Sequence, residues 1–435
     1  MKKVGVISLG CPKNLVDTEV MLGMLNKSGY EITPNEDEAD IILINTCGFL
    51  QASVKESIRT ILETAQRGKK IVMTGCLLDR YKELEKEMPE VSAFVSSKEL
   101  SEIVKVFDRI TDNKETHKKY FDYFSTEFEV PRYKSTFSPY TYVKISEGCN
   151  HSCAFCIIPE IKGKFRSRTI DSIVNEVKEL SQEGINEVIL IAQDLTSYGS
   201  DTDNKEKNSL ESLLKELVKI PNSPYYRLLY TYPGTITQGL LDLIAKEEKI
   251  LKYIDIPLQH SHKDILKSMK RPFDEKKIDD LIDRMKKTIP NLVIRTTFIV
   301  GFPEETEEHF EHLYNFMKKH KFDNVGVFPY SKEEGTTSFS MNNHVPHKIK
   351  QERRKKLMIL QQEILEEKNK SLIGQKMLMF VEDVIEERKK VVGRTYRDAP
   401  EIDGITTATG IAEPGDIVEV EITKTKVYDT FAKII

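Results

Sequence analysis

No apolar run in this 435-residue chain approaches the roughly 20 residues that a membrane-spanning helix needs. The first run, Val4 to Leu9, ends after six residues at a Gly-Cys-Pro turn. It is too short for the apolar region of a signal peptide and reads as a buried strand. No membrane partner is expected, and the cytoplasm is the expected compartment. An excess of one charge is also missing: 65 basic against 69 acidic side chains leave a net charge of −4. No global field therefore draws in nucleic acid, although a local basic face stays open. No low-complexity tract or short internal repeat is present.

Cysteine is the telling shortage. The chain has Cys11, Cys47, Cys76, Cys149, Cys153 and Cys156, and the 279 residues after them have none. A cytosolic protein gains little from disulfides, so grouped thiols read better as metal ligands or redox groups. In EGCNHSCAFCIIP (147–159) three cysteines are separated by gaps of three and then two residues, and no fourth follows. Four ligands would close a tetrahedral structural zinc site. His151 lies in this loop among ordinary loop residues. Three thiolates on a [4Fe–4S] cluster hold three irons and leave one open to a substrate or cofactor. Structural zinc is the competing reading.

The other three cysteines are dispersed but occupy one topological position. Strand-like runs VGVISLG (4–10), IILIN (41–45) and KIVMTG (70–75) are each followed by a cysteine: Cys11, Cys47 and Cys76. Helical segments such as 14–29 and 52–68 intervene, which predicts a doubly wound α/β domain. Its ligand crevice lies at the carboxyl ends of the strands. If the strands are neighbours, the three thiols share one edge and suit a second three-thiolate cluster. Zinc with one open position and three unrelated buried thiols are the alternatives. LGCPKN has one glycine and no GK[ST] ending, so it is not a P-loop.

Beyond the compact triplet, short apolar runs at 140–146, 187–192, 226–230, 253–256, 293–299 and 324–329 alternate with segments of helical periodicity. This predicts a parallel βα array. Six strands are too few for an eight-stranded barrel, so a curved, partly open one is expected, with its site at the carboxyl ends of the strands. Polar clusters sit at several strand ends: Gln193-Asp194, Tyr198-Gly199, Gln259-His260, Gly301-Phe302-Pro303 and Tyr330-Ser331. Each reads either as a ligand contact or as ordinary loop chemistry. Asp255 reads either way as well. Residues 346–370 predict a long helix, and the alternating runs after it predict a small β-barrel. From Lys368 onward there are 11 basic and 12 acidic residues. Arg353 to Lys356 reads as a solvated helix face.

The compact triplet, with Phe155 before its last cysteine, resembles the signature of radical S-adenosylmethionine enzymes. With the dispersed triplet before it and the small barrel after it, essentially the whole chain resembles the methylthiotransferase family. LGCPKNLVDTE (9–19), INTCGFLQASVKES (44–57), YVKISEGCNHSCAFCIIP (142–159), KGKFRSR (162–168), AQDLTSYG (192–199), PLQH (257–260) and GRTYRDAPEIDG (393–404) resemble its RimO-type branch. That branch acts on an aspartate of protein twelve of the small ribosomal subunit. GFPEET (301–306) departs from the pattern, which has glycine at the position of Glu304.

The resemblance implies two [4Fe–4S] clusters, held by Cys149, Cys153 and Cys156 and by Cys11, Cys47 and Cys76, with S-adenosylmethionine at the first. Phe155, through its backbone, and Gln193 are the expected further cofactor contacts. No side chain is singled out as catalytic, because the clusters carry the chemistry. The expected organisation is a multidomain α/β protein. A doubly wound α/β domain spans 1–115 and a linker 116–134. A partial (βα)6 radical S-adenosylmethionine barrel with its trailing helix spans 135–366, and a TRAM-like β-barrel 367–435. Expected partners are ribosomal protein twelve as substrate, an electron donor of flavodoxin or ferredoxin type, and a sulfur source. The alternative is a MiaB-type enzyme acting on an adenosine of transfer RNA. The near-neutral C-terminal domain and DAPEIDG (398–404) weigh against it, because phosphate binding wants clustered positive charge.

Overall fold

The computed structural model describes residues 2–111, 131–135, 139–205, 207–385 and 389–435. The linker expected over 116–134 lies outside the described residues, apart from 131–134.

The N-terminal sheet has strands β1 (Lys3–Ser8), β2 (Glu31–Ile32), β3 (Ile41–Thr46), β4 (Lys70–Gly75) and β5 (Ala93–Val95), all parallel, in the order β2-β1-β3-β4-β5. Every residue of β3 is buried, as expected for a parallel strand covered on both faces. Helix α1 (Pro12–Lys27) and the helix Ile103–Thr111 cover one face through Val16, Val20, Ile103 and Phe107. Helices α2 (Gln51–Ala65) and α3 (Cys76–Arg80) cover the other through Val54, Ile61, Leu77 and Leu78. Pro12 suits the first position of α1, where a backbone N–H would have no helical partner.

The central sheet is built from β6 (Tyr140–Lys144), β9 (Glu187–Ile191), β10 (Tyr225–Leu228), β11 (Ile250–Asp255), β12 (Val293–Val300) and β13 (Asn324–Pro329). They lie side by side in chain order, all parallel and unclosed, as a six-stranded partial barrel. A short hairpin, β7 (Ser146–Glu147) with β8 (Arg166–Ser167), flanks the cysteine loop. Five of the outer helices start at Thr169, Ser209, Thr237, Asp274 and Thr306. Each side chain accepts the backbone N–H three residues on. The helix His347–Lys370 lies against β13, and its Gln361 amide donates to the carbonyls of Phe322 and Asp323.

The C-terminal strands β14 (Lys376–Ile385), β15 (Lys390–Thr395), β16 (Thr406–Thr409), β17 (Ile417–Thr425) and β18 (Thr430–Ile434) close a barrel in the order β14-β15-β16-β18-β17. Strand β15 carries Gly393, and β16 has four residues; neither alternates cleanly enough to stand out in the sequence. The barrel docks on the central domain through Arg394, whose guanidinium meets Glu187 at 2.6 Å, with Arg227 on the other oxygen of that carboxylate.

Candidate active site

Strands β1, β3 and β4 are adjacent, so Cys11, Cys47 and Cys76 leave one edge of the sheet. The order of strands reverses between β1 and β3, the switch point at which open α/β sheets bind ligands. Close packing brings the loops together. Gly10 has φ +96°, and a Cβ there would fall 2.9 Å from the Cys47 Cβ and 3.1 Å from its Sγ. Asn14 ties all three loops. Its amide donates to the carbonyls of Leu9 (3.0 Å) and Thr46 (3.1 Å), and its Oδ1 accepts from the Cys76 thiol (3.6 Å). Burial pushes the Cys47 thiol up, and the Cys76 thiol up to about 12.

The compact triad sits in the loop between β7 and β8. Gly148 has φ +80°, and a Cβ there would lie 2.2 Å from the Lys164 carbonyl oxygen. The backbone N–H of Cys149 donates to Gly163 and that of Cys156 to Cys153. Burial pushes Cys149 up to about 11 and Cys156 up to about 12. Thiols this hard to ionise become thiolates when a metal replaces the proton. His151 is occupied elsewhere: its ring stacks on Tyr232 at 3.8 Å, and its Nε2 meets Asp194 at 2.7 Å. Arg271, which sequence reasoning missed, reaches the Cys153 Sγ at 3.8 Å and lies over the Tyr232 ring. Only its place in KRPFD, a short polar turn after a helix, hinted at a role.

Phe155 packs beside Ala154, Ile265, Met269, Phe302 and Tyr330, and Ala154 bonds through its backbone to Met269 and Ser338. Gln193 leaves the end of β9 and donates to Glu147 at 2.5 Å. Its buried Oε1 has no partner among the described residues, an acceptor free for a ligand.

The two triads lie in adjoining parts of the structure. Cys76 shares an apolar cluster with Ile157 and Ile161, the residues just after Cys156, and with Phe49. Lys162 reaches from the central domain to Ser97 (2.9 Å) and Asp17 (3.4 Å) of the N-terminal domain, and to Glu147 at 3.8 Å. Lys144 bonds both Asp17 and Glu147. Burial alone would raise the Glu147 carboxyl, but Lys144 and Lys162 more than offset it and hold the group down at about 2. Arg80 and Glu333 close the same seam.

The donor chemistry discriminates between candidate metals. Among the described residues, the one set of three metal-ligand atoms mutually within 4.8 Å is that of His262, Asp264 and His309, which includes no cysteine. Neither triad is thus drawn in to the spacing of ligands sharing one ion; Zn–S bonds of about 2.3 Å would demand that. Three thiols not drawn within that spacing suit a cluster in which each caps its own iron. The Nδ1 atoms of His262 and His309 already accept backbone N–H groups as helix caps.

Other strand-end residues resolve toward architecture. His260 is fully buried, and its Nδ1 accepts the N–H of His262. Asp255 holds Arg295 at 3.1 Å and accepts the Tyr230 N–H at 2.9 Å. The expected solvated face of residues 353–356 needs correction. Lys356 and its two predecessors are exposed, but Arg353 is buried and pairs with Glu305 at 2.7 Å, because the helix turns it under the GFPEET loop.

Comparison with known proteins agrees with this architecture. Three family models match: "Uncharacterized protein family UPF0004" over residues 3–96, "Radical SAM superfamily" over 143–317, and "TRAM domain" over 373–435. A protein of Desulforamulus reducens named "Ribosomal protein uS12 methylthiotransferase RimO" is 46% identical over 444 residues, covering 100% of each chain. One of the same name from Microcystis aeruginosa is 43% identical over 434 residues, 99% of each chain. Among solved structures, the radical S-adenosylmethionine methyltransferase TsrM from Kitasatospora setae matches with a TM-score of 0.58 at 14% identity. That match covers 76% of this chain and 75% of TsrM, a likeness of fold.

Proposed function

The chain belongs to the family of ribosomal protein uS12 methylthiotransferases called RimO, and from that premise we propose that it converts an aspartate C–H of protein uS12 to C–SCH3. The product is 3-methylthioaspartate. The enzyme is a radical S-adenosylmethionine protein that uses two [4Fe–4S] clusters and S-adenosylmethionine. One observation carries the reading: two cysteine triads at abutting strand ends, joined by Lys162 and by the contact of Cys76 with Ile157.

We assign Cys149, Cys153 and Cys156 to the cluster that binds S-adenosylmethionine, and Cys11, Cys47 and Cys76 to the second. Bound there, the clusters would supply one-electron reduction of S-adenosylmethionine, which serves as hydrogen acceptor, and sulfur for the carbon, with a further S-adenosylmethionine as the methyl donor. An aspartate C–H is too weak an acid for an ordinary base, which is why such chemistry is needed. The protein's part is placement. The free Oε1 of Gln193 would accept a hydrogen bond from S-adenosylmethionine, and Phe155, beside Cys156 in the chain, would offer its backbone to the same cofactor. Arg271 puts a fixed positive charge against Cys153. Lys144, Lys162, Asp17 and Glu147 hold the seam between the two sites.

Electrons come from a donor of flavodoxin or ferredoxin type, and sulfur from a separate source. The near-neutral barrel suits a protein partner rather than transfer RNA. Among the described residues no helix is long and apolar enough to cross a membrane, and the cytoplasm, where ribosomes are modified, is the proposed compartment. Mass spectrometry of uS12 from cells with and without this gene tests the reading. A methylthio increment on one aspartate, lost on deletion, is expected. An unaltered uS12, with a methylthio-adenosine missing from transfer RNA, would overturn it.

A further inference from the structure

Lys13 is an ammonium group at the junction of the two sites with no carboxylate partner among the described residues. It stands two residues after Cys11, in the first turn of α1, and is partly buried. Its Nζ lies 3.4 Å from the centroid of the Tyr230 ring and 3.4 Å from the carbonyl oxygen of Ala192, the residue before Gln193. It therefore spans from the dispersed triad to the strand end of the compact one. Among the described residues no carboxylate oxygen comes within 4.0 Å of it.

The nearby carboxylates are committed elsewhere. Glu147 and Asp255 are the two that share its surroundings. Glu147 is bound by Lys144 and Gln193, and Asp255 by Arg295 and the Tyr230 N–H. The other lysines of this seam, Lys144 and Lys162, are paired with carboxylates. Lysine offers three donors, and Lys13 uses one, weakly. Tyr230, the residue that frames it, has φ +65°, a conformation an aromatic side chain adopts only when its surroundings impose it. The Asp255 carboxylate accepts the Tyr230 N–H at 2.9 Å in this turn.

We propose that Lys13 binds the side-chain carboxylate of the substrate aspartate and selects aspartate over asparagine. This rests on the function proposed above. In that reading the group that must be held at the junction is an aspartate, and its side-chain carboxylate is the anion that the protein substrate brings. A cation reaching from one triad toward the other fits a carbon that must give up hydrogen to one site and receive sulfur from the other. Binding the carboxylate one bond from that carbon fixes its position. Removing a charged partner from a partly buried carboxylate weakens binding roughly tenfold to a hundredfold.

The test uses the reconstituted, full-length enzyme and two forms of uS12, one with the target aspartate and one with that aspartate changed to asparagine. The wild type is expected to bind the aspartate form at least about tenfold more tightly. Lys13→Met is expected to bind both forms alike and to retain about eight irons. Lys13→Arg is expected to keep the preference. A Lys13→Met enzyme that still prefers aspartate would overturn the proposal, as would one that loses iron, which would make Lys13 a support of the cluster. A wild type that leaves uS12 unmodified would instead fail the functional reading, so the two failures are distinguishable.

Discussion

Arg80 and Glu333 meet at 2.9 Å across the seam between the cysteine-bearing α/β domain and the last loop of the central domain, with side chains only 4% and 2% exposed. Arg80 also donates to the carbonyls of Gly48 and Glu334, and Glu333 accepts the N–H of Gln51. One ion pair thus reaches both the loop after Cys47 and the end of the partial barrel.

Removing one member strands the other charge in a dry interface. Arg80→Met is expected to destabilise the protein by about 3 to 5 kcal/mol. Arg80→Met with Glu333→Gln should recover part of that loss, because no charge is left unpaired. Denaturant unfolding under anaerobic conditions reads both, and a double variant as unstable as the single one would contradict this account.

The two triads should be separable by iron content. Cys76→Ala is expected to hold about four irons per chain and still cleave S-adenosylmethionine reductively. Cys156→Ala should also hold about four, and lose that cleavage. Iron analysis and 5′-deoxyadenosine assay measure the two outcomes. Loss of all iron from either variant would mean that the sites do not fill independently.

Glu304 has φ +70° and is exposed. A side chain pays steric strain in this region that glycine avoids. Glu304→Gly is expected to stabilise the protein by about 0.5 to 1 kcal/mol with unchanged iron content, measured by thermal unfolding. The departure from the family pattern in GFPEET is thereby a local strain and leaves every proposed ligand in place.

Asp398, in the loop where the C-terminal barrel meets the central sheet, is pushed up to about 6 by burial and by the neighbouring Asp403. A raised carboxyl favours the protonated folded form. Its contribution is fully present below the ordinary value near 3.8 and is lost as pH rises through about 6. Asp398→Asn is expected to leave stability unchanged near pH 4 and to raise it by about 2 kcal/mol at pH 8. Equal effects at both pH values would refute the burial account.

Much of this architecture was legible in the chain because parallel sheets announce themselves. Continuous apolar runs such as IILIN and EVILIA cannot face water, and Cys11, Cys47 and Cys76 each stand just past such a run. The order β2-β1-β3-β4-β5 was not legible, since pairing depends on which helices cover which face. Arg271, Asn14 and Lys162 escaped notice because their roles come from neighbours far away in sequence. Cys153 lies 118 residues from Arg271, and Cys76 lies 62 from Asn14. Arg353 was misread because charge runs on helices usually face solvent, and the helical repeat turned this one inward.

Asn14 has a consequence for survival in air. The carbonyls of Leu9 and Thr46 and the thiol of Cys76 converge on one amide. The loops around the dispersed triad are thus laced together by the polypeptide itself, unlike a zinc finger, whose metal is its fold. Loss of iron from this site would leave those three hydrogen bonds in place. Repair would then mean refilling the protein rather than synthesising it anew.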